Sequence, residues 1–388
     1  MQLSVIILNY NVRHFLELCV LSVQNALSNI DGEIIVVDNN SSDDSCEMMQ
    51  HRFPKIKLIR NTENLGFPKG NNIGVAQANG EYICILNPDT VVAEDTFEKI
   101  LNFIILNAVE VPNSDMGIIG CRLIDGTGNF LPESKRGIPT PWVAFTKIFG
   151  LYKLFPKSKF FNTYYAQHLQ EKETGKVAIL VGAFMVMKRE LYNEIGGFDE
   201  NCFMYSDDID LSYRVLQKGK SNYYLHETTV IHYKGESTVK DGTYMKRFQD
   251  AMNFFYKKHF SVSLFFSIFM KIGILFFSFL KKLQGNPKTT NTPESYLLIS
   301  DNEKLANQLK LELEKPVKRQ NIAQSFSKIL QTEIIFDQNS LDFKSIIQAF
   351  ENHKSKGVTF KILPKSSDFL IGSNSSFGRG EVVNIADC

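Results

Sequence analysis

The stretch Gly80-Glu81-Tyr82-Ile83-Cys84-Ile85-Leu86-Asn87-Pro88-Asp89-Thr90 decides the fold. Tyr82–Leu86 is a short apolar run suited to a buried parallel strand. It ends abruptly in Asn87-Pro88-Asp89, where Pro88 cannot continue a central ladder. A strand that stops and presents a carboxylate beyond its C-terminal end stands where open α/β sheets bind ligands. One carboxylate there can hold a divalent cation, and the cation can hold a diphosphate. Asn, Pro and Asp are also ordinary turn residues, so the neighbouring strands must decide between the two readings.

Upstream, Leu3–Leu8 is a hydrophobic strand ending in Asn9-Tyr10-Asn11. A helix follows, with Asn11 as its expected N-cap and Phe15, Leu18, Cys19, Ser22, Val23 and Ala26 on one face. Ile34–Val37 is the next buried strand and closes on Asp38-Asn39-Asn40-Ser41-Ser42-Asp43. Ile56–Arg60 makes a third strand, leading to Asn64-Leu65-Gly66-Phe67 and a helix over Asn71–Asn79 stopped by Gly80. After the opening stretch, Glu94–Asn107 reads as an acid-started amphipathic helix. Strands and helices alternating through short loops predict a parallel sheet covered on both faces. Asn9/Asn11, Asp38/Asn39 and Asn87/Asp89 then share one sheet edge and converge on one crevice. Neither Gly-x-Gly-x-x-Gly nor Gly-x-x-x-x-Gly-Lys-Ser/Thr occurs, which disfavours a dehydrogenase-type dinucleotide fold and a P-loop NTPase.

Downstream, Gly117–Ile124 adds a strand, and Asp125–Lys176 is irregular, Pro-bearing and aromatic, as specificity loops on a rigid sheet are. Val177–Met187 is apolar, broken by Gly182-Ala183. The next informative stretch is Gly196-Gly197-Phe198-Asp199-Glu200 followed by Phe203-Met204-Tyr205-Ser206-Asp207-Asp208-Ile209-Asp210-Leu211. A helix is expected from Ser206 or Asp207 to Lys218, ended by Gly219. Its aspartates either favour the positive end of a helix, or make one of their number a general base whose pKa the others raise. Tyr223–Leu225 and Thr229–Tyr233 read as strands carrying His226 and His232; a lone His is more often structural than a metal ligand.

Bulk properties agree. At 388 residues the chain holds two domains, or one with an appendage. A formal net charge of +1 gives no basic field for nucleic acid. Six scattered cysteines without Cys-x-x-Cys fit small core residues in a reducing cytosol. The opening Met1–Val5 has no charged n-region or cleavage site, so no secretory signal is expected.

Together these stretches resemble the inverting nucleotide-sugar glycosyltransferases of family 2, and within them the rhamnosyltransferase-like, non-processive members of bacterial surface-polysaccharide assembly. The matching pieces are Val5–Asn11, Val36–Asp43, Asn64–Phe67 with Asn71-Asn72, Leu86–Thr90 and Gly196–Arg214, in the family's order across about residues 1–240. The resemblance implies a GT-A fold with a mostly parallel central sheet. It implies that Asp38 hydrogen-bonds the pyrimidine base of a thymidine or uridine diphosphate sugar, with Asn9 and Tyr10 lining that pocket. Asn64, Asn71 and Asn72 would border the nucleotide. Asp89 matches the last carboxylate of the family's Asp-x-Asp and would coordinate Mg²⁺ or Mn²⁺, with His232 as a further ligand. Asp208 matches the second acid of the Glu-Asp pair, the catalytic base, and Asp207 would help hold the acceptor. Asn87 replaces the first carboxylate of the metal motif, and Asp207 replaces the usual Glu. Processive relatives carry Gln-x-x-Arg-Trp; the one tryptophan here, Trp142, precedes Asp208, so one sugar per encounter is expected.

Residues 1–240 are thus expected to be the glycosyltransferase domain, and 241–284 a basic and hydrophobic membrane-associating segment. Asp241–His259 reads as a helix, and Phe260–Leu280, about twenty residues, is long enough to span a bilayer. Lys271 at its middle costs roughly 3 kcal/mol in lipid. Ser263, Ser267, Lys271, Ser278 and Lys282 make one polar stripe, which favours a helix lying in the interface on the cytoplasmic side. A single span and a buried soluble helix are the alternatives, and a polyprenyl-linked acceptor would explain a place on the inner membrane surface. Residues 285–293 form a polar linker, and 294–388 a small α/β domain of unknown function. Its strands are expected at Tyr296–Ser300, Glu333–Phe336, Val358–Leu363 and Phe369–Ile371, its helices near Asn302–Leu313 and Leu341–Asn352. Two rivals remain: a sugar-nucleotide nucleotidyltransferase, which would want a glycine-rich basic loop where Asn9–Arg13 stands, and a membrane-anchored nucleotide-sugar-binding protein without catalysis.

Overall fold

The computed structural model describes residues 1–110, 115–140, 142–143, 146, 150, 154, 164–234, 242–260, 293–321, 331–355, 357–373 and 380–385. The chain runs β1 (Leu3–Asn9), α1 (Arg13–Ala26), β2 (Gly32–Asp38), α2 (Ser45–Arg52), β3 (Lys57–Arg60), α3 (Gly66–Ala76), β4 (Tyr82–Leu86), β5 (Thr90–Val91) and α4 (Thr96–Glu110). It continues through β6 (Met116–Ile124), β7 (Lys135–Arg136), β8 (Gly175–Val177), β9 (Ile179–Leu180), β10 (Phe184–Lys188), α5 (Arg189–Glu194), α6 (Asp207–Gln217), β11 (Ser221–His232) and α7 (Gly242–His259). The C-terminal part holds β12 (Ser295–Ile299), α8 (Glu303–Glu312), β13 (Val317–Gln320), β14 (Thr332–Asp337), α9 (Phe343–His353), β15 (Thr359–Leu363), β16 (Phe369–Ser373) and β17 (Glu381–Asn384).

Among the described residues the first sheet has the order β3-β2-β1-β4-β10-β6-β11-β5, with β8 beside β11. Successive side chains of a strand point to opposite faces. Accordingly Leu3, Val5 and Ile7 of β1 join one apolar cluster with α1, α2 and α4, and Ile6 and Leu8 join another with Val75 of α3 and Leu211 of α6. From β1 the chain moves to β2 and β3 on one side and returns to β4 on the other. The crevice at such a reversal lies beyond the carboxyl ends of β1 and β4, where Asn9 and Asn87 stand.

The expectation of a mostly parallel sheet is corrected. β10 enters antiparallel between β4 and β6, and β5 and β8 also pair antiparallel with β11, so the sheet is mixed. A strand buried on both faces is a continuous apolar run in either direction, so Val177–Met187 carried no sign of its orientation. The two strands expected around His226 are one, β11, with a register shift between Leu225 and Thr229. Asn11 is not the N-cap of α1: it takes φ 56°, Val12 holds that position, and the Asn11 side chain accepts from the Ser42 N–H at 2.7 Å.

The second sheet has the order β13-β12-β14-β15-β16-β17. Its outer strands β13 and β17 are short, polar and half-exposed, which hid them from a hydrophobic-pattern reading. Its core is continuous with the first sheet: Phe336, Phe343, Phe360 and Phe369 cluster with Val12, Phe15, Val91, Ile231 and Tyr233. Glu94 also crosses the boundary, accepting from the Phe343 and Lys344 N–H groups at 2.8 and 2.9 Å. It thereby satisfies two orphan donors of α9 and opposes the helix dipole. Among the described residues no helix is long and apolar enough to cross a membrane. Residues 261–280 of the expected membrane-associating helix lie outside the described residues, as do 285–292 of the linker.

Candidate active site

Pro88 ends β4, and the chain re-enters the sheet two residues later as β5, which pairs with the end of β11 so that Thr90 faces His232. The Tyr233 N–H donates to the Asp89 carbonyl at 2.9 Å and locks that turn. As a result His232 Nε2 lies 3.4 Å from Asp89 Oδ1 and 3.3 Å from Asn87 Nδ2. Asp89 Oδ1 and His232 Nδ1 are buried with no hydrogen-bond partner among the described residues. An orphaned buried carboxylate oxygen is costly, and beside an imidazole it matches the oxygen and nitrogen donors that Mg²⁺ or Mn²⁺ accepts. The residues present therefore fit a divalent cation as a two-ligand seat. No cluster of three or more His, Cys, Asp or Glu suited to a metal occurs among the described residues.

On the neighbouring strands, parallel register sets Asn9 opposite Asp38. Asn9 Nδ2 donates to Asp38 Oδ1 at 2.8 Å, and the Ser41 N–H donates to Asp38 Oδ2 at 2.9 Å. Asn39 Nδ2 donates to Asn64 Oδ1 at 2.9 Å, joining the loop after β2 to the loop before α3. Asn71 and Asn72 are not among the residues that line the crevice. Asn71 turns back to the Phe67 carbonyl. Asn72 donates to the Phe198 carbonyl at 3.0 Å and accepts from the Phe198 N–H at 3.0 Å, holding the Gly196-Gly197 turn. One turn of helix past the loop, an asparagine reads alike whether it faces a ligand or a neighbouring loop.

The third wall is the start of α6, whose first turn carries Asp207, Asp208 and Asp210. Each aspartate meets a different fate. Burial alone would raise Asp210, but Lys258, Arg214 and His259 outweigh it and hold its carboxyl below the usual range. Asp208 accepts through Oδ2 from Arg136 Nη2 at 2.5 Å and from the Gly182 N–H at 3.1 Å, leaving Oδ1 without a hydrogen-bond partner among the described residues. Asp207 has no ion pair among the described residues; burial and the adjacent Asp208 charge push it up to about 7.

These walls enclose a cavity of about 370 Å³ lined by Tyr10, Asn39, Asn64, Asn87, Pro88, Gly182, Asp207 and Asp208. Asp38 and Asp89, each 3% exposed, are not among its lining residues, although their chain neighbours Asn39 and Pro88 are. Arg136, Phe203, Met204 and Arg247 also line it, and the motif reading missed all four. Arg136 sits on β7, pinned to β9 by pairing with Ile179. The only trace of it in the sequence is the basic pair Lys135-Arg136 inside the irregular region.

The glycosyl transferase family 2 model matches residues 4–196, which spans β1 to the turn before α6. An N-acetylglucosaminyl-diphospho-decaprenol L-rhamnosyltransferase of Mycobacterium tuberculosis is 24% identical over 219 residues, 54% of this chain and 68% of that protein. A low-salt glycan biosynthesis hexosyltransferase of Haloferax volcanii is 26% identical over 222 residues, 56% of this chain and 62% of its own length. Among solved structures, a Pyrobaculum calidifontis mannosyltransferase in complex with GDP-Man and Mn²⁺ superposes with a TM-score of 0.45 at 19% identity, covering 66% of this chain and 63% of that one. The chain belongs to glycosyl transferase family 2, and it is a glycosyltransferase.

Proposed function

We propose that this chain is an inverting, non-processive glycosyltransferase that moves one sugar, rhamnose foremost, from a thymidine or uridine diphosphate sugar to a saccharide or polyprenyl-linked acceptor in cell-surface polysaccharide assembly. The observation that carries this reading is one cavity shared by Asp208 and by the Asn87-Pro88 turn that holds Asp89. The mycobacterial relative, whose name gives a rhamnosyl group and a lipid diphosphate acceptor, supports the choice of sugar and acceptor.

Asp38, steadied by Asn9 and Ser41, accepts from the base of the nucleotide through its remaining lone pairs, with Tyr10 and Asn64 at the pocket edge. Asp89 and His232 would hold the cation, which when bound would neutralise charge on the departing diphosphate. Asp208 takes the proton of the acceptor hydroxyl on Oδ1 while that oxygen bonds to the anomeric carbon. The bond from that carbon to the diphosphate oxygen breaks on the opposite face. Asp207, pushed up to about 7 by burial and by the Asp208 charge, in its protonated form donates a hydrogen bond to the acceptor without competing for its proton. One base and no enzymic nucleophile make a single displacement, hence inversion. The Phe-rich, basic-flanked stretch 260–280 is proposed to hold the enzyme on the cytoplasmic face of the membrane.

The test is donor consumption by Asp208→Asn protein over a panel of thymidine and uridine diphosphate sugars, with product anomer read by NMR. Loss of about 10³-fold or more in kcat with donor affinity kept supports the reading. Full turnover by the variant, or retention at the anomeric centre, overturns it.

A further inference from the structure

The active-site cavity does not end at Asp208. A second cavity of about 300 Å³ adjoins it, sharing Phe203, Met204 and Arg247 as a common wall and continuing past Ala251 and Phe254 of α7. The scaffold of this annex is firm. Phe255 and Tyr256 of α7 are buried against Ile179 and Ile209, and Lys258 and His259 are tied to Asp210 of α6 at 2.9 and 2.6 Å. α7 is thereby fixed against the helix that carries Asp207 and Asp208, and Arg247 is set at the junction of the two cavities.

Arg247 is exposed, and its guanidinium lies 5.4 Å from the centre of the Phe203 ring. Stacking on an aromatic face fixes the plane of a guanidinium and keeps its edge available for hydrogen bonding. No carboxylate among the described residues forms an ion pair with it, although Asp250 also lines the annex. Phe203 is 43% exposed, and with Phe254 and Ala251 it makes an apolar shelf beside the cation. A fixed guanidinium edge suits a phosphate oxygen pair, and the shelf suits hydrocarbon.

Resting on the transferase reading above, we propose that the annex is the acceptor's aglycone subsite. Arg247 holds a phosphate or diphosphate that joins the acceptor sugar to a hydrocarbon chain, and Phe203 and Phe254 carry the start of that chain. Arg247 then selects acceptors by the linkage beneath the sugar, while Asp208 acts on the sugar's hydroxyl.

The experiment compares acceptors of one sugar on an undecyl chain, joined through a diphosphate, through a monophosphate, or directly by a glycosidic oxygen. Each is assayed with the full-length wild-type, Arg247→Gln and Arg247→Lys proteins. Arg247→Gln is expected to lower kcat/KM for the phosphate-bearing acceptors roughly tenfold to a hundredfold more than for the phosphate-free one, as loss of a charge-assisted bond does. Arg247→Lys recovers part of the difference, and the mono- and diphosphate arms show which linkage is preferred. An equal effect on all three acceptors, or an effect that falls on donor KM instead, overturns the proposal by making Arg247 a structural or donor-diphosphate residue. Wild-type protein that transfers to none of them overturns the transferase reading and this one with it.

Discussion

Arg136 and Asp208, 72 residues apart in the chain, meet in a buried ion pair at 2.5 Å, and the same Asp208 oxygen accepts from the Gly182 backbone. Burial works against the guanidinium's charge, and Asp208 more than restores it, raising Arg136 above its ordinary range. The pair fixes Asp208 Oδ2 and sets a positive charge beside both aspartates, which also works against the rise in Asp207. Without the cation, two adjacent buried carboxylates would compete to ionise. Arg136→Gln is therefore expected to move the acidic limb of the kcat/KM profile up by about one pH unit or more. Activity at pH 7 would fall at least about tenfold and partly recover at higher pH, and Arg136→Lys would restore much of the loss. A uniform loss at every pH would make Arg136 a mere packing residue.

Asp207 reports on the same pair through stability. Its folded pKa, pushed up to about 7 by burial and by Asp208, lies above that of an unfolded aspartate, near 4. The folded state thus binds a proton more tightly than the unfolded one. That stabilisation is complete below about pH 4 and is lost as pH rises through about 7. Asp207→Asn mimics the neutral form, so its melting temperature should exceed that of the wild type most at pH 8, less at pH 5, and converge with it only below about pH 4. The difference at pH 8 is on the order of a few kcal/mol. Equal melting temperatures at both pH values would contradict the environment described for Asp207.

Asp89 and His232 should show themselves through metal dependence. Chelation is expected to abolish transfer, and Mg²⁺ or Mn²⁺ to restore it. Mn²⁺ should raise the melting temperature of the wild type but not of Asp89→Asn, because a ligand stabilises only a fold that binds it. Asp89→Asn should cost about 10²-fold or more in kcat, and His232→Ala should raise the metal concentration needed for half-activity about tenfold. Full activity in excess chelator would remove the cation from the mechanism.

The Gly182 backbone N–H donates to Asp208 Oδ2 at 3.1 Å. A Cβ built there lies 3.3 Å from the Asp208 Cβ and 3.7 Å from both Asp207 Oδ2 and the Phe67 ring edge. Gly182→Ala keeps the N–H donor but must displace the base by a few tenths of an ångström. A positioned base tolerates such errors poorly, so kcat should fall about tenfold while the melting temperature stays within a few degrees. Unchanged kcat would show that the carboxylate has slack.

What was legible in the sequence is what local pattern encodes. Val5, Ile7, Val36 and Ile85 lie in apolar runs stopped by Asn9, Asp38 and Asn87-Pro88-Asp89. That alone placed parallel strands with polar ends on one sheet edge, because side-chain alternation and Pro's missing donor act within a few residues. The aspartates after Ser206 were legible as a helix start on the same grounds. Tertiary structure decided which way β10 runs between β4 and β6, since a doubly buried strand looks the same in both directions. It decided that Asn72 braces Phe198 and that Asp210 belongs to Lys258 and His259. It also decided that Asp208 meets Arg136 from an irregular stretch with no motif. Charges cancel or couple according to distance in space, and a pairing across 72 residues leaves no spacing rule for a reader of the chain to find.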